Sequence, residues 1–190
     1  DNQTNVSELS DTARRENTEL DILIDIDIGM HRTGVHAPQE IVSIADLIKN
    51  SPNLNYAGVQ AYSGKVQHIE NYQEREQEYG AQLNHLEAVF KALAAAELKP
   101  NIISGGGTGT HAIDRGRKIF TEHQTGSYIF MDVEYNDVEL VKDAPSPFET
   151  SLFMQCSVVS NNADGFVTID GGYKCFATDG TKPEVVTDSL

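Results

Sequence analysis

The sequence has no tryptophan, only two cysteines, and 14 Lys and Arg against 29 Asp and Glu. Cys156 and Cys175 are too few for a disulfide-stapled secreted framework and lack metal-ligand spacing, so buried free thiols are expected rather than a bridge. The shortage of cations leaves a net charge of −15, which repels polynucleotides and anionic lipid. No local basic patch overrides that field, so neither nucleic acid nor a membrane is expected as a partner. Apolar runs of membrane-spanning length are also missing. The polar opening DNQTNVSELSDTARRENTE does not have the layout of a secretion signal, which makes a cytoplasmic location the default expectation. Asn2-Gln3-Thr4 and Asn5-Val6-Ser7 are then chance matches to the glycosylation pattern.

Glycine, by contrast, is concentrated where it can do chemistry. In Ile102–His111, IISGGGTGTH, three glycines and a Thr-Gly-Thr follow a short apolar run. Glycine there lets backbone N–H groups approach an anion, and the threonine hydroxyls add donors, so the loop reads as a phosphate cradle. No Gly-Lys-[Ser/Thr] follows, and the acidic residue of a dinucleotide fingerprint fits poorly, which excludes the usual ATP and NAD loops. A tight turn without a ligand is the competing reading of the same glycines.

The periodicity alternates strand and helix. Leu20–Ile28 reads as a strand interrupted by Asp25 and Asp27, Gln39–Lys49 as a helix closed by Pro52, and Tyr56–Tyr62 as a strand. Asn71–Glu97 follows as a long helix with Tyr79, Leu83, Leu86, Phe90 and Leu93 at helical spacing, then Asn101–Ser104 as a strand. Arg115–Thr121 reads as a short helix or turn, and Ser127–Asp132 as a further strand. Alternation of this kind implies parallel strands joined by right-handed crossovers, in a sheet or a barrel. After about Pro147 the pattern changes to three short β runs, Leu152–Val159, Phe166–Ile169 and Lys174–Thr178, with no room for helices between them. The chain reads as opening inside a helix and closing at Val185–Leu190 without an element of its own, as a fragment would.

Ligands of parallel α/β folds sit at the C-terminal ends of the strands. That rule gathers Met30, His31 and Arg32, then Tyr62 to Gly64, Gly105 to Thr108, and Tyr128 to Asp132 at one mouth. Arg32, bracketed by Gly29 and Gly34, could offer a guanidinium fork to an anionic or phenolic oxygen, or could clamp its loop through Asp25 or Asp27. Tyr62 could lie against a planar ligand or simply end its strand. His31, His36, His68 and His111 match no zinc spacing and read as loop residues. Lys65 has no apolar pocket to activate its amine.

Four blocks, Asp27-Ile28-Gly29-Met30-His31-Arg32-Thr33-Gly34-Val35, Gly58–Gly64, Ser104–Gly109 and Gly126–Asp132, together resemble the fold-type III pyridoxal-phosphate enzymes. They resemble in particular the branch containing D-threonine aldolase and eukaryotic-type D-serine dehydratase. Ile169–Lys174 and Thr178–Gly180 continue the likeness. The resemblance implies a partial alanine-racemase-like (β/α) TIM barrel over residues 1–147 and the beginning of an all-β C-terminal domain over 148–190. It implies pyridoxal 5'-phosphate as cofactor, with Arg32 near the phenolic oxygen and Tyr62 beside the ring. Gly106, Gly107 and Thr108, together with Gly126, Ser127 and Tyr128, would lie around the phosphate.

The lysine that holds the cofactor covalently in that family lies upstream of the region matching Asp1. The ligands of its divalent metal (Mn, Mg or Zn) lie beyond the region matching Leu190, so no catalytic or metal residue is assigned within this chain. The implied activity of the complete protein is a lyase for D-β-hydroxy-amino acids, converting D-threonine to glycine and acetaldehyde. D-serine dehydratase, a non-catalytic cofactor carrier and an amino-acid racemase are the alternatives. The small-molecule partner would be a D-amino acid, and pairing as a homodimer is expected of such barrels.

Overall fold

The computed structural model describes residues 1–177 and 180–186. Helix α1 (Gln3–Arg15) starts at a cap of its own, because the Asn2 side chain accepts the Asn5 N–H at 2.9 Å. Val6, Ser10 and Ala13 form its buried face, and the Ser10 hydroxyl donates to the Pro52 carbonyl at 2.7 Å.

Four parallel strands follow: β1 (Leu20–Asp25), β2 (Leu54–Ala61), β3 (Ile102–Gly105) and β4 (Glu122–His123). Between them run α2 (Pro38–Asn50), α3 (Tyr72–Ala95) and α4 (His111–Arg117). Each strand pairs with the next in chain order, β1-β2-β3-β4. A doubly wound sheet reverses its strand order at a switch point, whereas a (β/α) barrel adds neighbours in one direction. The sheet is therefore an arc of barrel. Its register shifts once, where Ile22 pairs with Tyr56 but Leu23 with Gly58. A side chain at Gly58 would run into the Ile102 carbonyl of β3.

The helices cover the outside of this arc. Pro38 occupies the first turn of α2, where a missing N–H costs nothing, and Ile41, Ile44, Ala45 and Ile48 face inward. Leu83, Leu86, Val89 and Leu93 of α3 pack with them and with Ile24, Ile26 and Val59 in one continuous core. Each large apolar side chain buried there contributes about 1.5–3 kcal/mol. A second, smaller cluster of Met131, Tyr135, Val138 and Leu140 sits beside it. The fully buried Arg75 ties the two together, donating to the Ile69 and Glu139 carbonyls.

Two parts of the sequence reading are corrected. Ser127–Asp132 is not a strand: Ser127–Ile129 is a 3-10 turn, and Asp132 caps the one-turn helix α5 (Val133–Asn136) by accepting the Tyr135 N–H at 2.8 Å. The fourth strand is Glu122–His123, which carries no apolar alternation and is held to β3 by backbone pairing, with the Thr121 and Glu122 side chains adding further bonds. Toward the C-terminus, among the described residues, only β5 (Val158–Ser160) and β6 (Thr168–Ile169) pair as strands, antiparallel. Most of Leu152–Val159 stays outside any strand, and Tyr173–Cys175 is a turn; Thr178 lies outside the described residues. None of residues 151–177 and 180–186 is buried. Both cysteines are free, but Cys156 is half-buried and Cys175 exposed, because this segment has no core to receive them.

Candidate functional site

Every strand of the arc ends at the same mouth. β1 runs into the 27–36 loop, whose shape is set by Asp27: its carboxylate accepts the N–H groups of Gly29 at 2.9 Å and His31 at 3.0 Å, and meets the His31 ring at 2.9 Å. Burial alone would raise the Asp27 pKa, but these donors outweigh it and bring the carboxyl down to about 2. The loop carries Arg32 to the mouth. Tyr62 directly follows β2, the glycine loop follows β3, and Gln124 to Ser127 follow β4.

There they enclose a cavity of about 330 Å³, lined by Arg32, Tyr62, Gly107, Thr108, Gln124, Gly126, Ser127 and Tyr135. Of the residues singled out in the sequence, Gly106 and Tyr128 stand outside this wall. Gly106 is placed by backbone geometry instead, with φ +66° and with Asp114 where a side chain would go. Tyr128 is partly exposed and contributes its N–H, which donates to Thr108 Oγ1 at 3.2 Å. One lone pair of that hydroxyl is then occupied, and its O–H is left to point elsewhere. No heavy atom lies within 4 Å of where a side chain would begin at Gly126.

The glycine loop is braced from beneath by buried polar side chains. Thr110 Oγ1 donates to Asp114 Oδ2 at 2.8 Å and accepts the Gly107 N–H at 3.0 Å. Gln67 accepts the Gly109 N–H at 2.8 Å and donates to the Ser63 carbonyl at 3.0 Å, which ties the loop to the segment carrying Tyr62. Two N–H groups of the loop are thus committed inside the protein. Burial pushes the Asp114 carboxyl up, while the Thr110 hydroxyl opposes the shift.

Sequence reasoning missed Gln124 and Tyr135. Tyr135 is buried, its phenol pKa is raised by that burial, and its ring packs at 4.5 Å on His68. Gln124 donates from Nε2 to Gln60 Oε1 at 3.1 Å and to Ser104 Oγ at 3.0 Å. The available signal was one polar residue near the end of each of three successive strands, Asp25, Gln60 and Ser104. Lys65 reaches the Gly29 carbonyl at 3.4 Å and does not line the cavity. The histidines are dispersed: His31 on Asp27, His36 stacked on His85 at 4.0 Å, and His111 on the Thr108 carbonyl at 2.8 Å. Among the described residues no three His, Cys, Asp or Glu side chains converge as a metal site, and no helix is long and apolar enough to cross a membrane.

A guanidinium, four hydroxyls and an amide line one cavity, a set of donors and ring faces that an anionic ligand carrying an aromatic ring could use.

Comparison with known proteins agrees in fold. Residues 1–134 match the family model of the alanine racemase N-terminal domain. The 3-hydroxy-D-aspartate aldolase of Paracoccus denitrificans (strain Pd 1222) is 35% identical over 188 residues, covering 97% of this chain and 49% of the relative. The D-threonine aldolase of an Arthrobacter species is 34% identical over 174 residues, covering 92% of this chain and 45% of the relative. The crystal structure of D-threonine aldolase from Filomicrobium marinum superposes with a TM-score of 0.83 at 28% identity, over 89% of this chain and 46% of that one. The chain spans about half the length of the curated relatives it matches. With the barrel arc, the shared mouth and the family model in agreement, the chain belongs to the alanine racemase N-terminal domain family, within the fold-type III pyridoxal-phosphate branch that its motifs resemble.

Proposed function

We propose that this chain forms the pyridoxal 5'-phosphate pocket of a lyase acting on D-β-hydroxy-amino acids, in the manner of D-threonine aldolase. The observation that carries the reading is the convergence of Arg32, Tyr62, Thr108 and Ser127 on one cavity at the strand ends. When bound, the cofactor supplies an electron sink for negative charge developing on the amino acid. The side chains of this chain do the holding. Thr108 and Ser127 would offer hydroxyls to the phosphate, with the 126–128 backbone beside them, Arg32 would meet the phenolic oxygen, and Tyr62 would lie against the ring. The relatives named for aldol cleavage of D-threonine and 3-hydroxy-D-aspartate support the substrate class.

The covalent lysine and the ligands of a divalent metal belong, on this reading, to the part of the relatives' length that the chain does not span. The remaining proposals are a D-amino acid as small-molecule partner, no nucleic acid, no membrane, pairing as a homodimer, and a cytoplasmic location.

Pyridoxine 5'-phosphate tests the pocket without covalent attachment, since it has no aldehyde. Calorimetric titration should show binding that unphosphorylated pyridoxine does not match. Thr108→Val should weaken it about tenfold to a hundredfold, the worth of a hydrogen bond to a charged group. Equal affinity for the two ligands would overturn the reading, and an unaffected valine variant would remove Thr108 from the phosphate site.

A further inference from the structure

The amide of Gln124 is held in one orientation by two carboxylates that never touch it. Asp25 is the first. A carboxylate only accepts hydrogen bonds, so the Gln60 side chain 2.6 Å from Asp25 Oδ1 must present its NH₂ there. The other oxygen of Asp25 takes the Thr33 hydroxyl at 2.6 Å. The carbonyl oxygen of Gln60 is thereby left facing Gln124, at 3.1 Å.

Glu122 is the second. The Ser104 hydroxyl has one proton, which goes to Glu122 Oε1 at 2.7 Å, so that toward Gln124 it offers a lone pair, at 3.0 Å. Both neighbours of the Gln124 amide on the protein side are therefore acceptors. Its NH₂ is consumed by them, and its Oε1 has no partner among the described residues while the side chain stands in the cavity wall. The assignment rests on donor and acceptor chemistry at each step rather than on which amide atom was named nitrogen.

We infer that Gln124 offers the cavity a hydrogen-bond acceptor, fixed by Asp25 through Gln60 and by Glu122 through Ser104, and that it selects a ligand ring carrying an N–H. The inference rests on the cofactor reading above and adds the protonation state of the ring: an acceptor there favours the pyridinium form over the neutral pyridine. Arg32 is the one charged side chain in the cavity wall among the described residues. It opposes a second positive charge, so the acceptor at Gln124 is what makes the pyridinium tolerable. Asp25, Gln60, Ser104 and Glu122 act as positioning residues, since none of them lines the cavity.

The test uses pyridoxine 5'-phosphate labelled with ¹⁵N in the ring, bound to the full chain and followed by the ¹⁵N chemical shift through a pH titration. Bound to the native sequence, the ring nitrogen should stay protonated to a higher pH than in free ligand. Gln60→Leu, which frees the Gln124 amide to turn, should shift that titration back toward the free-ligand value, and Gln60→Glu, which keeps an acceptor facing Gln124, should restore it. An analogue with C–H in place of the ring nitrogen should bind about tenfold more weakly to the native chain and equally well to Gln60→Leu. A ring nitrogen titrating as in free ligand, or unmoved by Gln60→Leu, would overturn the inference while leaving the pocket assignment standing. Absence of binding by pyridoxine 5'-phosphate would overturn the pocket assignment, and this inference with it.

Discussion

Strands β1 and β5 both carry adjacent branched apolar residues, yet Ile24 in β1 is 1% exposed and Val159 in β5 is 61% exposed. The difference lies in what each strand is given to pack against. β1 belongs to a four-stranded parallel arc with α1, α2 and α3 laid over it. The β5–β6 pair is a two-stranded ribbon, an arrangement that is marginal in water without a third layer. Strand propensity is thus similar in the two regions, and burial is decided by the neighbouring elements. The consequence for function is direct: every residue of the cavity wall comes from the arc or from the small cluster docked on it. Rigid strand ends hold Tyr62, Thr108 and Gln124 in fixed relation, which a solvent-exposed ribbon could not do.

The comparison is tested most severely by removing a core side chain. Leu86 on α3 is fully buried among the residues of the arc. Leu86→Ala should therefore cost about 2–5 kcal/mol, the range for a truncated buried leucine including its cavity. Denaturant unfolding followed by circular dichroism measures it. A loss below about 1 kcal/mol would mean that the arc is no better packed in solution than the ribbon, and the contrast drawn above would collapse.

Acid should also act on the arc, through Asp27. Its folded pKa of about 2 lies below the ordinary 3.8. A carboxyl depressed in the folded state stabilises the fold above its unfolded value, and that contribution disappears as pH falls from about 4 to about 2. The expected loss is roughly 1–2 kcal/mol. Asp27→Asn should have lower stability at pH 7 and a flatter profile across that window. Parallel profiles for the two proteins would show that the donors from Gly29 and His31 do not favour the charged carboxylate.

How much of this was legible in the sequence divides along the same line. Helices α2 and α3 were readable to within a residue or two, because their apolar residues recur at helical spacing and proline punctuates α2 at both ends. β1, β2 and β3 were readable as apolar runs between those helices. β4 was not, since Glu122–His123 has no apolar alternation and is placed by its pairing with β3 and by bonds to Ser104 and from Thr121. Misplacing that strand onto Ser127–Asp132 hid Gln124, which follows β4, and Tyr135, which belongs to a helix of one turn. Arg75 escaped for a related reason: a cation at the start of a polar helix face gives no local sign that it will be buried against two carbonyls. Positions with a backbone reason to be unusual, such as Gly106 with its positive φ, were visible. Those placed only by tertiary hydrogen bonds were not.

The smallest effect is expected in the ribbon, and it sharpens the comparison from the other side. Phe166 is 65% exposed and precedes β6. Exchanging it for serine removes an aromatic ring that contributes little to any core, so Phe166→Ser should change stability by no more than about 0.5 kcal/mol. The same substitution at a site buried like Tyr79 would cost several times more, because the ring's transfer from water would be lost. Unfolding curves of Phe166→Ser and the native chain should therefore superimpose in both midpoint and slope. A lowered midpoint would show that the 151–177 segment is docked in solution through Phe166, and the division into a packed arc and an unpacked ribbon would then have to be withdrawn.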